Sequence, residues 1–274
     1  MSFFLTMNAT DRALQLQGSE QYHNTGSFVF SGLLAPLFST LSTTTLVGIE
    51  RTCWWIHIVG ILAFLNYLPY SKHLHIILAF PNAYYARLPL LGKMTNMAAV
   101  QNEVKYMMQP ELAGLMLAAP TKFGAKDVFD LSWKNLLDAY SCTECGRCSA
   151  ACPATLTGKL LSPRKIMMDT RDRATEVGKN ITANGEFKDD GKTLVKDYIT
   201  VEELRACTTC NACVEACPVS ISPLDIIIQL RRSLIMEDSN APQEWNGMFS
   251  NIENNFAPWK FSPEDRDKWV EDLL

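Results

Sequence analysis

The chain has 274 residues, of which 47% are hydrophobic and 20% charged, enough to bury a sizeable core and to hold more than one domain. A formal net charge of −4 and a pI near 5.6 leave no basic face for nucleic acid, which excludes that class of partner. Charge is also unevenly spread: positions 1–80 hold only Asp11, Arg12, Glu20, Glu50, Arg51 and Lys72, which predicts a membrane-associated front region and a water-soluble rear.

In chain order, MSFFLTMNATDR lacks a basic stretch leading into an apolar one, so no secretory signal is expected. Residues 26–49 run without a charge, but Pro36 and many Ser and Thr residues leave a spanning helix and an interfacial or re-entrant segment equally open. Residues 53–80, with Lys72 as their one formal charge, predict a transmembrane helix. Trp54 and Trp55 at one end and Tyr67, Tyr70, Tyr84 and Tyr85 towards the other match the aromatic belts of a bilayer. Lys72, Arg87 and Lys93 place the C-terminal end of that helix in the cytoplasm, and the rest of the chain with it. Positions 1–80 thus form the membrane region, 81–125 a linker with the domain boundary near 120, and 126–274 a helical domain.

Helix starts recur through this last part. Ser132 opens a helix ahead of the first cysteine run, Thr200 with Glu203 forms a capping box, and Ser162-Pro163, Ser222-Pro223 and Ser262-Pro263 each place a cap before a first-turn proline. No strand alternation competes, so the fold class is mainly α. The polar stretch 180–199 reads as a surface excursion.

Of nine cysteines, eight lie in two runs, CTECGRCSAACP from Cys142 and CTTCNACVEACP from Cys207, sharing the spacing C-x2-C-x2-C-x3-C-P; Cys53 stands apart as a packing residue. Three thiolates at intervals of three residues wrap one corner of an iron–sulfur cube and leave the fourth iron out of local reach. Structural zinc usually takes two separated C-x2-C pairs, so a zinc-stabilised scaffold is the weaker alternative. Free thiolates of this kind point to a reducing, cytoplasm-facing location.

The runs resemble those of two-cluster ferredoxins, in which the fourth cysteine of each run ligates the other run's cluster. That resemblance implies two 4Fe-4S clusters, one on Cys142, Cys145, Cys148 and Cys217, the other on Cys207, Cys210, Cys213 and Cys152. The interval between the runs is too long for the compact β-type ferredoxin and is full of helix signals. Residues from about 130 to 274 therefore resemble the α-helical iron–sulfur subunits related to the C subunit of heterodisulfide reductase, and the cluster domain of anaerobic glycerol-3-phosphate dehydrogenase.

His57 and His75 are about five helical turns apart, which would put both on one face of a continuous helix, one near each leaflet. The stretch from His57 through LPYSKHLHIILAFP is similar to the last transmembrane helix of the cytochrome b subunit of respiratory nitrate reductase, where the equivalent histidines bind different b haems. That resemblance implies haem b on His57 and His75, with a partner membrane subunit supplying the missing ligands. Together these expectations describe an electron-transfer subunit in the cytoplasmic membrane, its clusters facing the cytoplasm. It would link quinone or haem to a cytoplasmic redox subunit with CCG motifs, of the heterodisulfide reductase B kind. The competing enzyme class is the iron–sulfur subunit of a succinate or fumarate oxidoreductase. That family adds a further cysteine-bearing domain, whereas residues 1–141 contain only Cys53.

Overall fold

The computed structural model describes residues 1–26, 28–89, 92–109, 111, 122–260, 262–265, 267–271 and 273. These residues are helical and contain no strand, only an isolated bridge between Val195 and Ile199. They form two compact units, Met1–Leu74 and His75–Leu274.

In the first unit, α1 (Ser2–Leu16) packs on the start of α2 (Thr43–Tyr67) around Ala13, Leu14 and Leu46. Ser42 caps α2 by accepting from the Thr45 N–H at 3.3 Å. The uncharged stretch 26–49, left open by its sequence, contains a short 3-10 helix at Ser31–Phe38 and the first turns of α2. Residues Thr43–Tyr70 are long and apolar enough to cross a membrane, and little of their apolar surface is buried within the protein. Cys53 is buried, as expected of a packing residue.

The helix expected over 53–80 is broken. After a 3-10 turn at Leu68–Tyr70, a separate helix α3 (Leu74–Tyr84) belongs to the second unit. Pro69 supplies the cause, having no N–H to donate and a ring that obstructs the preceding turn. His57 and His75 therefore lie on different helices and not on one continuous one.

The second unit fastens α3 by polar contacts. Asn82 Nδ2 donates to the Val219 carbonyl at 2.8 Å, and Asn82 Oδ1 accepts from Lys134 at 2.9 Å. Ser141 Oγ donates to the Leu78 carbonyl at 3.3 Å. Lys134 in turn holds the buried carboxylate of Asp138 at 2.5 Å. Just beyond α3, Arg87 pairs with Asp225 at 2.6 Å, and Asp225 also accepts from Asn135 at 2.7 Å and from Thr95. Burial alone would raise the pKa of Asp225, but these donors outweigh it and hold the carboxyl at about 2. A carboxyl whose folded pKa is depressed stabilises the fold above its unfolded value of 3.8, and that contribution disappears as the pH falls towards 2. Asp225→Asn is therefore expected to cost about 2 kcal/mol near neutral pH, from about 1.4 kcal/mol per pKa unit. The gap from the parent protein should close between about pH 4 and 2 in unfolding followed by circular dichroism.

Part of the predicted linker is helical, as α4 (Ala98–Met108). Most of 110–124, with the expected boundary near 120, lies outside the described residues. Beyond it come α5 (Trp133–Ser141), α6 (Arg147–Ala150), α7 (Pro153–Leu156), α8 (Pro163–Asn184), α9 (Val201–Ala206), α10 (Ala212–Glu215), α11 (Pro223–Met236), α12 (Gln243–Asn255) and α13 (Lys268–Glu271). The core gathers Ile166 and Met167 of α8, Leu204 of α9, and Ile226, Ile227 and Leu230 of α11.

The stretch 180–199 is only partly the surface excursion expected. Leu194, Val195 and Ile199 are buried in the main core, which the polar residues around them conceal in the sequence. Arg173 of α8, fully buried, fastens this segment. Its guanidinium meets Asp127 at 2.7 Å, Asp190 at 2.5 Å and the Lys192 carbonyl at 2.7 Å.

Candidate iron–sulfur site

Each cysteine run follows a short capped helix. Ser132 and Asn135 form a capping box for α5, which ends at Cys142; Thr200 and Glu203 do the same for α9, which ends at Cys207. Two residues in each loop then take the left-handed conformation, Glu144 and Gly146 in the first (φ 62° and 82°), Thr209 and Asn211 in the second (φ 57° and 63°). For residues other than glycine this costs about 1 kcal/mol each, and for a β-branched Thr it is rarer still. The strain turns backbone N–H groups towards sulfur. Thr209 N donates to Cys207 Sγ and Ile221 N to Cys217 Sγ, both at 3.4 Å, and the Glu144 N–H serves Cys142 in the same way.

The eight cysteines gather around two cavities. Cys142, Cys145, Cys148 and Cys217 line one, together with His75 and Ala79 of α3, Arg147 and Arg164. Cys207, Cys210, Cys213 and Cys152 line the other, walled by Leu161, Leu224 and Ile227. Cys213 borders both. Among the described residues no three Cys, His, Asp or Glu side chains converge where a single ion could sit, as four-coordinate zinc demands. Four thiolates spread round a cavity, with N–H donors already aimed at sulfur, suit a multi-iron core instead.

Electrostatics agree. Burial, followed by the neighbouring charges of Cys207, Cys148, Cys152 and Cys210, pushes the Cys213 thiol up to about 12. Burial likewise raises Cys142, Cys148 and Cys207. So many thiolates in an apolar setting need the positive charge of iron to ionise together, and loading the site releases protons.

The helix-opening prolines set the spacing beyond each run. Ser222 Oγ accepts from Asp225 N at 3.3 Å in the expected way. At the first site Ser162 makes no cap; Ser149 Oγ accepts from Arg164 N at 3.3 Å in its place and bonds Ser162 Oγ at 2.8 Å. Residues 141–221, which span both runs, match a known protein family, described as the 4Fe-4S dicluster domain. This segment is a 4Fe-4S dicluster domain.

Relatives extend the likeness beyond the dicluster domain. The chain is 31% identical over 268 residues to the Probable iron-sulfur-binding oxidoreductase FadF of Bacillus subtilis, covering 87% of the chain and 36% of that protein. It is 28% identical over 263 residues to the EtfAB:quinone oxidoreductase of Syntrophomonas wolfei, covering 89% and 34%. A Probable membrane-anchored ferredoxin of Chromohalobacter salexigens is 32% identical over 168 residues, covering 57% and 25%. Shorter matches reach C subunits of Methanosarcina heterodisulfide reductases. The chain thus spans about a third or less of the length of the first three relatives. No solved structure matches it.

The two candidate haem histidines fall in different units. His57 lies in the first unit, its ring 5.4 Å from that of Phe4, whereas His75 belongs to the second unit and walls the cavity of the dicluster domain that holds Cys142. No expectation drawn from the sequence marks Glu144 inside the first cysteine loop, or Asn82, Arg171 and Arg231 close to the loops. A position-by-position comparison of the two halves, cysteine run and following helix together, is the signal that could have found Glu144, Arg171 and Arg231.

Proposed function

We propose that this chain relays electrons through two 4Fe-4S clusters with crossed ligands, between quinone at a membrane and a redox partner on the cytoplasmic side. The observation that carries the proposal is that three cysteines of each run share a cavity with the fourth of the other. Bound there, the cubanes would supply one-electron transfer, and the chain would hold and space them. No residue is assigned as a nucleophile or general acid, and a catalytic partner would reside on another polypeptide or segment. The apolar helix Thr43–Tyr70 supports attachment to a membrane, and a relative described as membrane-anchored supports it too. The name of the Syntrophomonas relative favours quinone as the membrane-side reactant. Haem b on His57 and His75 stays outside the proposal, because the two residues lie on different helices and none of the relatives above is described as a haem protein.

Anaerobic purification tests it. The expected result is a brown protein carrying iron and acid-labile sulfide, whose reduced form gives the paramagnetic signal of two interacting cubanes, and which pellets with membranes. A colourless, zinc-containing protein without sulfide would end the electron-relay reading.

A further inference from the structure

The two halves of the dicluster domain repeat each other: a capped helix, a cysteine loop with two left-handed residues, then a long helix opened by proline. Aligning the prolines places Ile166 against Ile226, Met167 against Ile227 and Thr170 against Leu230, and all six are buried. In that register Arg171 of α8 matches Arg231 of α11; in the loops, where the cysteines themselves set the alignment, Glu144 matches Thr209.

The matched arginines differ in their surroundings. Arg171 meets two carboxylates, Glu144 at 2.7 Å and Asp172 at 3.1 Å. In the second half both are missing, since Thr209 replaces Glu144 and Arg232 replaces Asp172. Arg231 instead donates to two backbone carbonyls, Leu204 at 2.7 and 2.5 Å and Cys207 at 2.5 Å. No carboxylate pairs with it among the described residues. It is partly buried, and its bond to the Cys207 carbonyl sets the guanidinium beside the second cysteine run.

We propose that Arg231 is the resident positive charge of the cluster on Cys207, Cys210, Cys213 and Cys152 and raises its reduction potential, while Glu144 cancels the matching charge of Arg171 at the other cluster. A core with four thiolates is anionic and becomes more so on reduction, so a fixed cation beside it favours the reduced form. A partly buried charge acts several times more strongly than one in water. Arg147 and Arg164, which line the first cavity, are exposed and screened. The inference rests on reading the two cavities as cluster sites.

The test is a redox titration of the anaerobic protein followed by electron paramagnetic resonance, with iron and sulfide counted for every variant. Cys152→Ala and Cys217→Ala backgrounds assign the signals. Arg231→Gln and Thr209→Glu are expected to move the midpoint of the Cys207 cluster to lower potential and leave the other in place. Arg231→Lys should keep it near the parent value, and Glu144→Gln should raise the midpoint of the Cys142 cluster alone. Unmoved midpoints with full iron content, or both midpoints moving together, would overturn the inference. So would loss of the second cluster in both Arg231→Gln and Arg231→Lys, which would make Arg231 a clamp on the loop and not a source of charge. If Arg231→Gln alone loses iron, Thr209→Glu, which keeps the arginine, decides: a lowered midpoint supports the inference and an unmoved one overturns it. A parent protein devoid of sulfide would sink the cluster reading itself.

Discussion

Cys217→Ala is expected to destroy the cluster whose other ligands, Cys142, Cys145 and Cys148, lie in the untouched first run, with loss of about half of the iron at most. Cys152→Ala should do the same to the cluster on Cys207, Cys210 and Cys213. Pairs of substitutions make the assignment independent of spectral detail, because two losses at one site do not add. Cys145→Ala with Cys217→Ala should leave one cluster intact, whereas Cys210→Ala with Cys217→Ala should leave none. Iron and sulfide per chain, read beside the paramagnetic spectrum, decide it. If each run held its own cluster, the outcomes of the two double variants would be exchanged.

Arg173→Ala should be the most damaging change away from the cysteines. The guanidinium is fully buried, and it satisfies Asp127, Asp190 and the Lys192 carbonyl. Removing one member of a buried ionic network leaves the others uncompensated, at a cost of about 3–5 kcal/mol. For a domain of this size that amounts to roughly 10 °C in melting temperature. Arg173→Lys should recover only part of it, since one ammonium cannot span two carboxylates and a carbonyl with the planar fork of arginine. Thermal unfolding of the anaerobic protein, with cluster absorbance followed in parallel, measures both.

The features legible in the sequence were those encoded locally. Cysteine spacing, the helix start at Ser132, the capping box at Thr200 and the prolines at 163 and 223 act within a few residues of themselves, so the helical domain and its cysteine loops could be read directly. The fate of 53–80 could not. Pro69 acts locally and breaks the helix, but that the second half joins the other unit depends on Asn82 meeting Val219 and Lys134, partners 137 and 52 residues away. In an apolar stretch Asn82 looks like an oddity and not an anchor. The buried residues at 194–199 escaped notice for the opposite reason, since three apolar side chains are too few to outweigh a polar neighbourhood in any local window. The contrast between Arg171 and Arg231 emerges only when the halves are laid side by side.

Helix α3 grips the chain beside Cys142, through Ser141, and beside Cys217, through Val219. Those two points lie far apart in sequence, and the proposed inorganic core would tie them directly. Helix and core would thus brace the same two points, the one by hydrogen bonds from Asn82 and to Leu78, the other by thiolates.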